Sequence, residues 1–194
     1  MEKNIIWIDL DEVLAESITY ILQYHKNKIN GKTVNIEDIK NYYIYEIFDI
    51  SKDDAIQWFR EPTLHDINKL EIKPVQWAKK KLEELKNKWY ILKIITARRL
   101  DLFWEYTHKW INKYFPEFFD EIIFANYFSE NQKNKSEICG ENNIEHMIED
   151  NFHYAKELAE QWIKTYLLEK PWNDHISAKH KNIRKVKDWS NITI

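Results

Sequence analysis

The chain has 194 residues, enough for one sizeable core or a core with a small insert. With 44% hydrophobic and 15% aromatic residues it belongs with folded chains, not disordered ones. Two glycines exclude a glycine-rich phosphate loop, a single cysteine excludes a disulfide framework and argues against a Cys-based zinc site, and a net charge of −3 supplies no drive toward bulk nucleic acid.

Met1-Glu2-Lys3-Asn4 leads into the first element without the apolar stretch of a secretion signal. No apolar run is long enough to span a bilayer, so a soluble cytoplasmic protein is expected. Residues 5–9 read as a strand buried on both faces, running directly into Asp9-Leu10-Asp11. Strand alternation sends both aspartates to one side, at the C-terminal mouth where open α/β sheets bind ligands. Carboxylates that close repel unless a cation or a proton intervenes, and a hard metal ion with a phosphorylated substrate is the simplest way to satisfy them. The same Asp-x-Asp spacing also suits a turn or a helix N-cap.

Val13, Leu14, Ile18, Ile21 and Leu22 then recur at helical spacing. Residues 30–72 are aromatic and acidic, with short amphipathic pieces such as 51–60, where Ser51 is a plausible N-cap with Asp54 three residues on. No buried strand is expected there. Pro74 is expected to open a helix whose stripe is Val75, Ala78, Leu82 and Leu85. A second buried strand covers 89–95 and ends in Thr96. A helix over 100–114 is closed by Pro116, and 121–125 is a third strand. A short helix over 135–142, a strand over 145–149, a helix over 153–163 and a strand over 165–168 complete the alternation. Strands alternating with helices outside 15–73 imply a parallel sheet covered by helices, with 15–73 as a separate helical cap.

One edge of this sheet collects chemistry. Strand one ends in Asp9-Leu10-Asp11, strand two in Ile94-Ile95-Thr96-Ala97-Arg98, and strand four in Met147-Ile148-Glu149-Asp150-Asn151, while Lys135 lies between strands three and four. In that order these four sites resemble the four motifs of the haloacid-dehalogenase-like hydrolase superfamily. The resemblance covers most of the chain. It implies a Rossmann-like three-layer α/β sandwich with a five-stranded parallel sheet in the order 5-4-1-2-3. It also implies a catalytic core of 1–14 plus 74–194, and a small helical cap, 15–73, inserted after strand one. A narrower resemblance is to the 5′(3′)-deoxyribonucleotidases. It rests on Asp9 to Ala15, Ile95 to Arg98, Ile148 to Asn151, and the late stretches Lys170-Pro171-Trp172-Asn173 and Val186-Lys187-Asp188-Trp189. Glu12 departs from the Gly that many members carry, and its role is open.

The resemblance implies a magnesium-dependent phosphatase acting through an aspartyl-phosphate. Asp9 is then the nucleophile and Asp11 the general acid and later base, while Asp9, Asp150 and the backbone carbonyl of Asp11 are the Mg2+ ligands. Thr96 would donate to a phosphoryl oxygen, and Lys135 would neutralise developing charge. Ala97 and Arg98 would line the phosphate site. The alternatives are that Thr96 simply ends its strand and caps a helix, that Lys133 takes the place of Lys135, and that Arg99 takes the place of Arg98, while Asn151 and Glu149 read as supports of the ligands. A flat substrate base would need an aromatic partner, with Trp58 and Phe59 leading among the cap residues, although aromatic stripes usually serve a core. The expected partner is a small phosphorylated substrate, most simply a nucleoside monophosphate. The alternatives are a sugar phosphate, a nucleic-acid phosphate end, or a non-catalytic binding module with a decayed site, which four intact motif positions disfavour. Oligomeric state is not indicated.

Overall fold

The computed structural model describes residues 5–29, 31–142 and 144–194, together with all their side chains except that of Ile47. The opening Met1-Glu2-Lys3-Asn4 lies outside the described residues. The chain is an α/β fold around one parallel sheet. Its first strand, β1 (Ile5–Ile8), lies between β4 (Ile91–Thr96) and β6 (His146–Glu149). Beyond β4 lies β5 (Glu121–Phe124). Beyond β6 come β7 (Lys164–Leu168) and β8 (Ile183–Val186).

The sheet therefore has six strands in the order β5-β4-β1-β6-β7-β8, not the five expected. Counting only the strands of this sheet, β1 keeps the second and fourth strands as its neighbours. The added strand is Ile183-Arg184-Lys185-Val186, only half buried at the sheet edge. Four residues with two charges carry too little period to be read as a strand; pairing with β7 creates it.

Alternation along β1 and its neighbours divides the core. Ile6, Ile8, Leu92 and Ile94 pack with α4 (Ala78–Asn87) and α5 (Leu100–Tyr114) through Leu82, Leu85, Tyr106 and Trp110. Trp7, Ile95 and Met147 point to the other face and pack with α6 (Lys135–Glu141) and α7 (Phe152–Glu160) through Ile138, Tyr154 and Leu158. The result is three layers.

Between β1 and β4 the chain makes a detour. It contains α1 (Ser17–Tyr24), a two-stranded hairpin of β2 (Lys28–Ile29) and β3 (Lys32–Thr33), a single 3-10 turn over Ile36–Asp38, α2 (Ile44–Phe48) and α3 (Lys52–His65). Ser51 caps α3 by accepting the Asp54 N–H at 3.0 Å. The hairpin is too short to show a strand period and turns at Gly31, whose φ of +73° suits glycine. The detour's two ends meet: Ala15 bridges to Pro74, Val75 N–H donates to the Leu14 carbonyl at 2.8 Å, and Glu16 N–H to that of Lys73 at 2.9 Å. This pairing overrides the expected helix start at Pro74. The backbone there is held extended, and α4 begins only at Ala78, after Trp77 in the left-handed region. Among the described residues no helix is long and apolar enough to cross a membrane.

Candidate active site

Register brings the chemistry to one edge. Ile8 pairs with Ile94 and with Ile148, so Asp9, Thr96 and Glu149 all emerge at the C-terminal end of the sheet. Asp9 N–H donates to the Ile148 carbonyl at 3.0 Å, which pins the first carboxylate beside β6.

Lys135, at the start of α6, reaches this edge from the far side of the sheet. Its side chain is fully buried. Nζ donates to Asp9 Oδ1 at 2.6 Å and to Glu149 Oε2 at 2.9 Å. Burial pushes the ammonium pKa down, but the two carboxylates more than reverse this and hold it raised, so it stays charged. Lys133, its rival, is exposed and pairs with Glu141.

Carboxylate oxygens of Asp9, Glu149 and Asp150 lie within 4.8 Å of one another, and all three residues are buried. Glu149 is spoken for: Oε2 takes Lys135, and Oε1 accepts the N–H groups of Asp150 and Asn151, both at 3.1 Å. Asp150 is half free. Oδ2 accepts Trp172 Nε1–H at 2.9 Å, whereas Oδ1 is buried with no hydrogen-bond partner. An orphaned, buried carboxylate oxygen is costly unless a cation meets it. Burial, with Glu149 and Asp9 beside it, drives the Asp150 pKa well up. Burial does the same to Asp9, bringing it to about 7 against the opposing charge of Lys135. Around this edge five carboxylates (Asp9, Asp11, Glu12, Glu149, Asp150) face three cations (Lys135, Arg98, Lys170). With all five ionised the deficit is two positive charges, which a divalent cation would supply. These residues fit a hard, oxygen-ligated ion.

The side chain of Asp11 does not join that carboxylate group and turns away from it. Arg98 holds it with a bidentate pair, Nε to Oδ2 at 2.9 Å and Nη2 to Oδ1 at 2.7 Å, and Ser17 Oγ–H donates to Oδ1 as well. Burial raises the Asp11 pKa, but the Arg98 charge and these hydrogen bonds outweigh it, so the carboxyl is held below its usual value. Arg98 is thus committed to Asp11 instead of standing open for a phosphate. It is braced by Thr107 Oγ1 at 3.0 Å and by the Phe103 and Tyr106 rings. Arg99 pairs with Asp101. Thr96 is fully buried; its hydroxyl oxygen accepts the Arg98 N–H at 3.2 Å.

Glu12 explains its own departure from Gly in part. Its φ is +62°, the region where glycine is at ease. Its buried carboxylate accepts Ile18 N–H at 2.7 Å, satisfying one of the open donors at the start of α1, and faces Lys170 Nζ at 3.5 Å.

Above the site lies a cavity of about 190 Å³ between the detour and the sheet. Asp11, Ala97, Arg98 and Asp150 form its floor, and Tyr42, Tyr43, Tyr45, Phe59, Tyr127 and Phe128 are among its aromatic walls. Phe59 is where a substrate-facing aromatic was expected. Trp58 is not: its ring stacks on His25 at 5.0 Å, off the cavity. The reason is local. Pro62 inside α3 has no N–H for the Trp58 carbonyl, and His25 Nε2 takes that carbonyl at 2.9 Å, drawing the pair together. Trp172 and Lys170 are the residues that sequence reasoning left without a role. Both belong to the stretch Lys170-Pro171-Trp172-Asn173, the signal that could have found them.

No family model matches the chain, and no curated protein sequence matches it. Solved structures do. The chain aligns with a predicted phosphoglycolate phosphatase from Haemophilus somnus at 15% identity and TM-score 0.63, over 98% of this chain and 96% of that one. It aligns with a family IA, variant 3 hydrolase of the haloacid-dehalogenase type from Entamoeba histolytica at 16% identity and TM-score 0.63, over 100% and 96%. It aligns with CbbY from Rhodobacter sphaeroides, in complex with xylulose-(1,5)bisphosphate, at 13% identity and TM-score 0.65, over 97% and 96%. The fold is that of the haloacid-dehalogenase-like hydrolases. At such low identity the likeness concerns the fold, and the chemistry has to be argued from the site.

Proposed function

We propose that this chain is a divalent-cation-dependent phosphatase of small phosphomonoesters, with 15–73 as the cap over a core of 1–14 and 74–194. The observation that carries the reading is the pairing of Lys135 with Asp9 and Glu149 beside the orphaned Oδ1 of Asp150. Asp9 and Asp150 would hold the ion, with the Asp11 backbone carbonyl as the family resemblance implies. Glu149, already saturated, orients Lys135. A magnesium ion, when bound, lowers the cost of gathering carboxylates and phosphate and polarises the phosphoryl group.

Asp9 attacks phosphorus, forming the acyl-phosphate as the bond to the leaving oxygen breaks, and water then cleaves that intermediate. Lys135 and the Thr96 hydroxyl meet charge on the phosphoryl oxygens. Asp11, kept as a carboxylate by Arg98, is ready to take a proton from the attacking water. Its earlier turn as acid requires Arg98 to loosen, and the arriving phosphate is the competing anion.

For the rest of the substrate, a sugar phosphate is favoured: one fold relative is bound to xylulose-(1,5)bisphosphate, and another, a predicted phosphoglycolate phosphatase, is named for a small phosphorylated acid that also lacks a base. A nucleoside monophosphate is the second reading, carried by the aromatic walls of the cavity. Phosphate release from a panel of sugar phosphates, phosphoglycolate and nucleotides, with magnesium and after chelation, tests both levels. Release without metal removes the cation, and the ranking of substrates separates the two classes.

A further inference from the structure

The indole of Trp172 belongs to two parts of the molecule. Its ring is buried in the hydrophobic cluster of Ile18, Leu22, Ile39, Ile44 and Phe48, and the other members of that cluster all come from the 15–73 segment. Its N–H leaves that cluster and donates to Asp150 Oδ2 at 2.9 Å. The next residue, Asn173, is fully buried and grips the same aspartate from behind. Its Nδ2 donates to the Asp150 carbonyl at 2.7 Å and to the Leu168 carbonyl at 2.8 Å. Asp150 is therefore fixed by side chain and backbone, from adjacent positions on the loop after β7, in the pose that leaves Oδ1 unpartnered.

We propose that Trp172 is a positioning residue for the divalent cation. Through its N–H it turns the Asp150 carboxylate so that Oδ1 faces the ion, and through its ring it makes the metal affinity depend on how the 15–73 segment is packed. This rests on the cation site of the proposed function. The physical ground is that a hydrogen bond to the outer oxygen of a ligating carboxylate fixes its rotamer and basicity, and loss of such a partner typically weakens metal binding about ten- to a hundred-fold.

Trp172→Phe keeps an aromatic ring in the cluster while removing the donor and part of the indole's volume. Mn2+ and Mg2+ affinities, measured by calorimetry without substrate, should fall about ten-fold or more, while the chelated protein stays folded but melts at a lower temperature because Asp150 Oδ2 loses its donor. In the Asp150→Asn background the same substitution should add little further loss, because the coupling runs through that carboxylate. Unchanged affinity in Trp172→Phe, or an equal added loss in Asp150→Asn, overturns the inference while leaving the phosphatase reading intact. A wild-type protein that binds neither ion overturns both. Should Trp172→Phe fail to fold, the wild-type indole N–H resonance decides. It should move on Mg2+ titration with the calorimetric midpoint, and a resonance that does not move refutes the role.

Discussion

Lys135 and Asp9 lie 126 positions apart in the chain, yet their charged atoms are 2.6 Å from each other in a fully enclosed site. Glu149 shares the same ammonium, so a single cation restrains two buried carboxylates that would otherwise repel. Stability and chemistry thus meet at one side chain.

Lys135→Met should abolish phosphate release and destabilise the metal-free protein by about 3–5 kcal/mol, since it strands two buried carboxylates. Magnesium should restore part of that stability, because the ion replaces some of the missing charge. Urea unfolding with and without magnesium measures both effects. A metal-free variant as stable as wild type would show that the pair carries no structural weight.

The Asp11–Arg98 pair predicts an acid limb. The folded-state pKa of Asp11 is lowered, so its contribution is present above the unfolded carboxylate value and is lost as pH falls through the folded value. Arg98→Gln removes the cause. Acid unfolding of the chelated protein, followed by circular dichroism, should then shift its midpoint to higher pH. An unmoved midpoint would mean that solvent already screens the pair at the half-buried Asp11.

Glu12 combines a left-handed backbone with a useful carboxylate, and two substitutions separate these. Glu12→Gly and Glu12→Ala both lose the bonds to Ile18 and Lys170, but only Ala keeps the unfavourable φ. Glu12→Gly should be more stable than Glu12→Ala by about 1 kcal/mol in denaturant unfolding. Equal stabilities would show that the turn relaxes when the side chain is lost.

Phe59 and Trp58 are neighbours with different tasks. Phe59→Ala should raise the Michaelis constant for bulky phosphomonoesters more than for a minimal phosphate ester, because it opens the cavity wall. Trp58→Ala should act on melting temperature through its lost contact with His25 and leave the Michaelis constants near wild type. Steady-state kinetics on two ester sizes, alongside thermal melts, tests this; identical kinetic profiles for the two variants would refute the division.

Much of the fold could be read directly from the chain, and the reason is periodicity. Ile5 to Ile8 and the stretches before Thr96 and Glu149 are short, largely apolar runs ending in polar chemistry, the pattern of buried central strands when helical stretches alternate with them. Asp9, Thr96, Glu149 and Asp150 sit directly at those strand ends, so their gathering on one edge follows from strand direction. Lys135 over Lys133 was not legible, because two positions on a loop-to-helix junction differ only in which way the turn faces. The same holds for the partners of flexible or amphipathic side chains. Arg98 had a phosphate as its natural sequence-level partner, and only the approach of α5 and the loop after β1 gave it Asp11. β8 required a neighbour before it could be a strand, and Pro74 required Ala15 before it could be extended. The stretch around Trp172 carried a family resemblance but named no partner for the residue; packing set its ring in the 15–73 cluster and its N–H on Asp150. Local pattern encodes which backbone forms and where it ends. Which polar group meets which depends on contacts between segments distant in sequence, and those exist only once the layers have packed.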